Sequence, residues 1–237
     1  MHKYAFGVPV LPGKDAHAPP RMFAADMDGY RTSRARMGVA LERIYLMPTP
    51  MGEFAIVYIE AEKDFVAGTI AIATSDVPAD VKFRDLLKDV HGFDFNAPPP
   101  GPPPELIADW ADPDVHVRKP GWAFMAPLKP GATDAGRAFA KEAWQTRHAD
   151  FTESRRKLGG TRETVFLNST PQGDAVVVYV EADDPAETNR RFAASREPFD
   201  VWFKDECSKI FPEFIDFNEP LPPIETMWDQ QLAPASV

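Results

Sequence analysis

Alternating apolar and polar positions predict a β-hairpin in two parts of the chain. The first runs from Glu42 to Ala61, ERIYLMPTPMGEFAIVYIEA, and the second from Glu163 to Ala182, ETVFLNSTPQGDAVVVYVEA. Each contains an alternating strand, a Thr-Pro-x-Gly turn and a second strand rich in Val and Ile. The two segments align without a gap at a spacing of 121 residues. The chain therefore carries an internal duplication.

The segments that flank the hairpins repeat as well. A helix is predicted before each hairpin, because in the second half Trp144, His148 and Phe151 recur at helical spacing. A proline-broken helical region follows each hairpin, and a short strand stands at either end of each repeat. Each half therefore reads strand, helix, strand, strand, helix, strand, with boundaries near residues 1–116 and 117–237. The residues that match the helical stripe in the first half are Phe23, Met27 and Tyr30.

This order of elements, found twice, resembles the dimeric α+β barrel superfamily, whose ferredoxin-like units pair their sheets into one barrel. The resemblance rests on the element order, the hairpin and the duplication, and it covers nearly the whole chain. It implies an α+β fold of two ferredoxin-like β-α-β-β-α-β repeats that pair as a pseudo-dimeric barrel within one chain. The superfamily includes antibiotic-biosynthesis-type monooxygenases, haem proteins and many uncharacterised members, so the fold alone does not identify a function.

Composition narrows the classes of partner. The chain has 26 basic and 36 acidic residues and a formal charge of −10, which disfavours nucleic acid because phosphate contacts need clustered Lys and Arg. The single cysteine, Cys207, excludes an intrachain disulfide and fits a reducing compartment. No apolar run approaches the roughly 18 residues that span a membrane. We therefore expect a soluble, cytoplasmic protein without a nucleic-acid or membrane partner.

Alternation divides the second hairpin strand into two faces. The face formed by Val176, Val178 and Val180 is purely aliphatic and should pack under the helices. The other face carries Tyr179 and Glu181, and the first repeat matches it with Tyr58 and Glu60. If the two sheets face each other, these residues should line a shared cavity, together with Phe166 of the adjacent strand. The alternative is that both glutamates lie at strand ends in water.

Differences between the repeats predict a site in the second half. Met27 is replaced by His148, and the first repeat's Phe23 and Lys82 become Trp144 and Trp202. His148 would act as an acid or base, or as an axial haem ligand, with Tyr179 and Glu181 as the other catalytic residues. The alternative for His148 is a partly buried histidine bonded to a neighbour. The predicted ligand-binding residues are Trp144, Phe151, Arg155, Phe166, Trp202, Tyr58 and Glu60.

An arginine recurs at one helical position, as Arg34 and Arg155. The plain explanation is an internal ion pair in each repeat, with Glu42 and Glu163 just past the helix. Anion binding is the alternative. No spacing of His, Cys, Asp or Glu marks a metal site.

Three functions stay open on the sequence. The first is binding of a small hydrophobic or aromatic molecule in a barrel or helix–sheet cavity, with cofactor-free oxidation or isomerisation as the chemistry. The second is a non-catalytic structural or interaction module, and the third is a haem-binding protein. No cofactor is predicted under the first reading. Whether the protein is an enzyme, and whether it is a monomeric pseudo-dimer or a homodimer, the sequence leaves undecided.

Overall fold

The two predicted hairpins form in a computed structural model, which describes residues 1–170 and 172–232. In each turn a threonine hydroxyl donates to the carbonyl of the glycine three residues on, from Thr49 to Gly52 at 2.7 Å and from Thr170 to Gly173 at 2.9 Å. The glycines have φ of +122° and +125°, a region that side chains with a Cβ avoid. Pro171 of the second turn lies outside the described residues.

The chain divides into two units, each built on a four-stranded antiparallel sheet. The first unit comprises Met1–Pro104 and, among the described residues, 224–232. Its sheet has the order β1-β3-β2-β8. Its elements are β1 (His2–Pro9), α1 (Ala18–Ala25), α2 (Met27–Ala35), β2 (Val39–Thr49), β3 (Gly52–Ala61), α3 (Phe65–Ala73), α4 (Pro78–His91) and β8 (Glu225–Gln231).

The second unit, Glu105–Pro223, repeats this arrangement. Its sheet has the order β4-β6-β7-β5, which is the order of the first sheet read from its other edge. The first strand of each repeat, β1 or β5, lies at an edge of its sheet, where a proline such as Pro9 or Pro127 is tolerated. Its elements are β4 (Glu105–Ala111), β5 (Gly121–Pro127), α5 (Thr133–Lys141), a π-helical segment (Glu142–Thr146), α6 (His148–Leu158), β6 (Gly160–Thr170), β7 (Gly173–Ala182), α7 (Pro185–Ala194) and α8 (Pro198–Ile210).

The last strand of each repeat belongs to the sheet of the other repeat. β4 pairs with β6, and β8 pairs with β2. The units therefore differ from the predicted halves 1–116 and 117–237, which delimit the sequence repeat and not the folded units. Alternation predicts that a strand exists but does not name its partner. The proline-rich segment of residues 98–104 directly precedes β4.

The helix predicted before the second hairpin is interrupted. It is α-helical over Thr133–Lys141, π-helical over Glu142–Thr146, and α-helical again from His148. The residue at the junction, Arg147, has φ −102° and ψ 31°, outside the helical region. The α-helical spacing from which Trp144 and His148 were placed on one face therefore does not hold across this junction.

The two faces of the second sheet divide as predicted. Val165, Leu167, Val176 and Val178 pack with helical side chains in one apolar cluster. No helix within the described part of the chain has the length and apolar composition needed to cross a bilayer.

Candidate functional site

A cavity lies between the sheet and the helices of the second unit. Its volume is about 120 Å³. Strands β4, β5, β6 and β7 contribute to one wall, and helices α5, α6, α7 and α8 contribute to the other. Most of the walls are aromatic or aliphatic, which is typical of small-molecule sites. The largest apolar side chains that line it are Trp110, Trp122, Phe124, Phe139, Trp144, Phe192, Phe203, Phe211 and Phe217.

One edge of the cavity lies at the start of α7. An aspartate caps this helix, because Asp184 accepts a hydrogen bond from the backbone N–H of Glu187 at 2.9 Å. In the first unit Asp64 caps α3 in the same way, accepting from Ala67 at 2.8 Å. Because Asp64 and Asp184 cap α3 and α7 in the same way, the first residue of α3 corresponds to the first residue of α7.

That first helical residue is Phe65 in α3 and Pro185 in α7. The Phe65 ring packs edge-on against Tyr4 and Phe6, with ring centroids 5.5 Å away in both cases. In the second unit Pro185 lines the cavity, and so do two aromatic residues of β5, Trp122 and Phe124. Proline is smaller than phenylalanine. The exchange therefore leaves room beside β5 that an aromatic ring fills in the first unit.

An ion pair stands in the otherwise apolar wall. Arg155 of α6 donates to Glu163 of β6 through Nε at 2.6 Å and through Nη2 at 3.2 Å. The guanidinium also lies over the rings of Phe151 and Phe203, 4.4 and 4.7 Å from their centroids. Both charged residues line the cavity and are more than nine-tenths buried. The predicted internal pair is therefore present.

The same pair in the first unit has one more partner. Arg34 donates to Glu42 at 2.7 and 2.9 Å, and the hydroxyl of Tyr30 donates to Glu42 Oε2 at 2.8 Å. Burial, reinforced by the nearby Glu42 carboxylate, raises the pKa of Tyr30 above its ordinary value, so this hydroxyl keeps its proton. The second unit has Phe151 at the position of Tyr30.

Glu163 consequently has fewer donors than its counterpart. Among the described residues, Arg155 alone donates to its carboxylate. The side chain of Glu163 is 11% exposed, against 3% for Glu42. Since Glu163 lines the cavity, a carboxylate with unused acceptor capacity borders the apolar space.

Trp144 is the predicted binding residue that contributes a large ring to the cavity wall. Its ring packs against Phe151 with centroids 4.4 Å apart. The indole Nε1 is buried and has no hydrogen-bond partner among the described residues. A buried donor without a partner is costly, so this N–H is a second polar group available at the wall.

His148 does not reach the cavity. It begins α6, is exposed, and its Nδ1 lies 3.0 Å from the carbonyl oxygen of Trp144. The π-helical segment accounts for this, because it changes the helical phase between Trp144 and His148. Its predicted role as acid, base or haem ligand therefore has no support in this geometry. Trp202 also lies outside the lining, half-buried under the Arg147 guanidinium, which is 4.1 Å from its ring.

The predicted Tyr–Glu residues make internal hydrogen bonds. Tyr179 donates to Glu181 at 2.6 Å, and Tyr58 donates to Glu60 at 2.6 Å in the first unit. Glu181 is fully buried and also accepts from Arg118 at 2.9 Å, so it does not lie at a wet strand end. None of these residues borders the cavity between helices and sheet, and neither does the buried Phe166.

The cavity does not fit the haem alternative. Among its described lining residues there is no histidine, and the one sulfur ligand is Cys207. Burial raises the pKa of this thiol well above its ordinary value, which opposes the thiolate that a metal needs. No group of three or more His, Cys, Asp or Glu side chains within the described ranges could hold a metal ion.

Comparison with known proteins supports the fold. No protein-family model matches the sequence, and no curated protein matches it. The solved structure of an anthrone oxidase-like protein aligns with 100% of this chain and 97% of its own, with a TM-score of 0.53 and 10% identity. This likeness confirms the predicted α+β fold with two duplicated ferredoxin-like repeats.

Two further solved structures are described as putative monooxygenases. One, from Fusobacterium nucleatum, has a TM-score of 0.49 and 10% identity over 97% of this chain and 93% of its own. The other, from Lactobacillus acidophilus, has a TM-score of 0.48 and 11% identity over 96% and 92%.

Sequence reasoning missed most of the lining, including Pro185, Trp122 and Phe124. A usable signal existed for the first, because the caps Asp64 and Asp184 align Phe65 with Pro185. The wall on β5 had no such signal. An aromatic residue on a strand occurs equally in a filled core and at a cavity.

Proposed function

We propose that the second unit binds a small, flat, aromatic molecule between its helices and its sheet. The observation that carries the proposal is the cavity of about 120 Å³ with predominantly aromatic and aliphatic walls. Burying apolar surface there contributes roughly 25 cal/mol per Å² to binding. Flat rings match the walls because aromatic pairs favour offset or edge-on contacts.

The test fills the cavity from its edge with the residue that the first unit carries. In Pro185→Phe the new phenylalanine is the first residue of α7, just as Phe65 is the first residue of α3. We therefore expect the start of the helix to tolerate it. Naphthalene is the probe, and equilibrium dialysis measures its binding. We expect saturable binding by the unaltered protein and a loss of affinity of about tenfold or more in Pro185→Phe.

The matched control is Phe65→Leu, which alters the corresponding place in the first unit and should leave naphthalene binding unchanged. A folded Pro185→Phe protein that binds naphthalene as the unaltered protein does would contradict the proposal. If the unaltered protein does not bind naphthalene, the non-catalytic structural module becomes the better account of the chain.

Cofactor-free oxidation of the bound molecule is the second candidate. It is favoured by the Glu163 carboxylate at an apolar wall, which can accept a proton from an activated carbon, and by the fold shared with an anthrone oxidase-like protein. Anthrone is a flat aromatic ketone of the class proposed above. The balanced reaction takes anthrone and O₂ to anthraquinone and water.

Anthraquinone formation in air-saturated buffer, followed by absorbance, tests this candidate. We expect turnover by the unaltered protein that Pro185→Phe removes. Equal anthraquinone formation in the presence and absence of protein would leave binding as the function and exclude this oxidation.

A further inference from the structure

We infer that the ligand of the cavity carries an aromatic hydroxyl group, which donates a hydrogen bond to Glu163. The inference rests on the proposed function, because it names the class of molecule that the same cavity binds. It is drawn from a hydrogen bond that Tyr30 makes to Glu42 in the first unit and that Glu163 lacks in the second.

The first unit shows what this carboxylate position accepts. Glu42 takes two hydrogen bonds from Arg34 and a third from the phenolic hydroxyl of Tyr30, at 2.8 Å. The Tyr30 side chain is fully buried, so a phenol donates to a buried, arginine-paired carboxylate within this very fold. Such a charge-assisted hydrogen bond is stronger than one between neutral groups.

The second unit keeps the carboxylate and the arginine but loses the phenol. Phe151 replaces Tyr30, and its ring also stacks on the guanidinium of the arginine. The Phe151 ring centroid lies 4.4 Å from Arg155 Cζ, and the Tyr30 ring centroid lies 5.2 Å from Arg34 Cζ. The packing is thus retained while the hydroxyl is gone. Glu163 then borders the cavity with a larger exposed fraction than Glu42.

A ligand hydroxyl would restore the missing donor. The cavity excludes cations with a large hydration shell, because its walls are apolar, and the existing Arg155 already neutralises the carboxylate. A neutral O–H donor on a flat ring meets both conditions. Hydroxylated aromatic compounds, with naphthols as the smallest bicyclic example, are therefore the ligand class.

The experiment compares 2-naphthol with naphthalene at neutral pH, where the naphthol hydroxyl is protonated. Equilibrium dialysis gives both dissociation constants for the unaltered protein and for Phe151→Tyr. In Phe151→Tyr the new tyrosine hydroxyl should donate to Glu163, as Tyr30 donates to Glu42 in the first unit. The protein then supplies the donor that the ligand hydroxyl supplies otherwise.

We expect the unaltered protein to bind 2-naphthol about 10- to 100-fold more tightly than naphthalene, as a hydrogen bond to a charged group predicts. In Phe151→Tyr this preference should fall to within about threefold, while naphthalene affinity stays within the same factor. Tyr30→Phe in the first unit is the matched control and should keep the full preference.

Two results would overturn the inference without touching the proposed function. One is equal affinity of the unaltered protein for 2-naphthol and naphthalene. The other is a preference for 2-naphthol that persists undiminished in folded Phe151→Tyr. If neither compound binds, the proposed function itself fails.

Discussion

The buried ion pair at the cavity wall gives the most demanding prediction. Replacing Arg155 by methionine removes the guanidinium that donates to Glu163 at 2.6 and 3.2 Å. Methionine is unbranched and apolar, so it refills part of the space between the surrounding rings. What remains is a carboxylate without its counter-charge, on a side chain that is only 11% exposed.

The cost follows from that uncompensated charge. Breaking a buried pair by removing one partner costs about 3–5 kcal/mol. The lost stacking of the guanidinium on Phe151 and Phe203, 4.4 and 4.7 Å away, places the expectation in the upper half of that range. Removing both charges in Arg155→Met/Glu163→Leu should recover most of the lost stability, because Glu163 no longer leaves an unpaired buried charge. The buried Asp200, 3.9 Å from Arg155, keeps its hydrogen bonds from Ser154 and Ser195 in both variants.

Urea denaturation measures these differences, and the chain offers its own probe of the second unit. Cys207 is the single cysteine, it is buried, and it lies on α8. Its reaction with a thiol reagent at increasing urea therefore reports unfolding of that unit. With a slope of about 2 kcal/mol per molar urea, the single variant should lower the midpoint by about 2–2.5 M.

The double variant decides the reasoning. If it is as unstable as Arg155→Met alone, the cost came from lost packing and not from the unpaired carboxylate. If the single variant loses less than about 1 kcal/mol, the pair behaves like a solvent-exposed one and its assigned burial is refuted.

The remaining predictions concern single groups elsewhere. Burial lowers the pKa of His91 below its usual 6.5, so the unfolded chain binds more protons and stability should fall as pH drops from about 7 to 5. The second unit has phenylalanine at this position. His91→Phe should therefore flatten this part of a plot of urea midpoint against pH. Burial raises the pKa of Cys207, so a thiol reagent at pH 8 should leave the native protein unmodified and react fully in urea; rapid native reaction would contradict the buried position. Tyr30→Phe removes the donor to Glu42 and the acceptor of the Trp228 indole N–H. It should lower the free energy of unfolding by about 2–3 kcal/mol, measured by thermal or urea denaturation. A change under about 0.5 kcal/mol would show that neither hydrogen bond stabilises the fold.

The fold was predictable from the sequence where the signal is local. The hairpins follow from alternation and from glycines that need positive φ, and the Arg–Glu pairs follow from side chains that repeat beside them. The partner of each final strand was not predictable, since β4 carries the same alternation whichever sheet receives it.

The site was only partly predictable. Trp144 and Arg155 line the cavity, whereas His148 lies outside it because a five-residue π-helical segment breaks the spacing that had placed it there. Such a segment has no composition of its own to reveal it. The cavity itself depends on the volume difference between Phe65 and Pro185, and a volume difference becomes visible only when packing partners are known.

The exchange of final strands bears on how a duplicated chain of this kind is held together. A chain with a single repeat would have to take its fourth strand from a second copy, and its stability would then rise with protein concentration. Joining the repeats turns that encounter into an intramolecular one, at an effective concentration in the millimolar range for short linkers. The stability of each four-stranded sheet is then independent of dilution. Divergence between the repeats becomes tolerable for the same reason, because one sheet can be optimised for packing while the other opens a cavity.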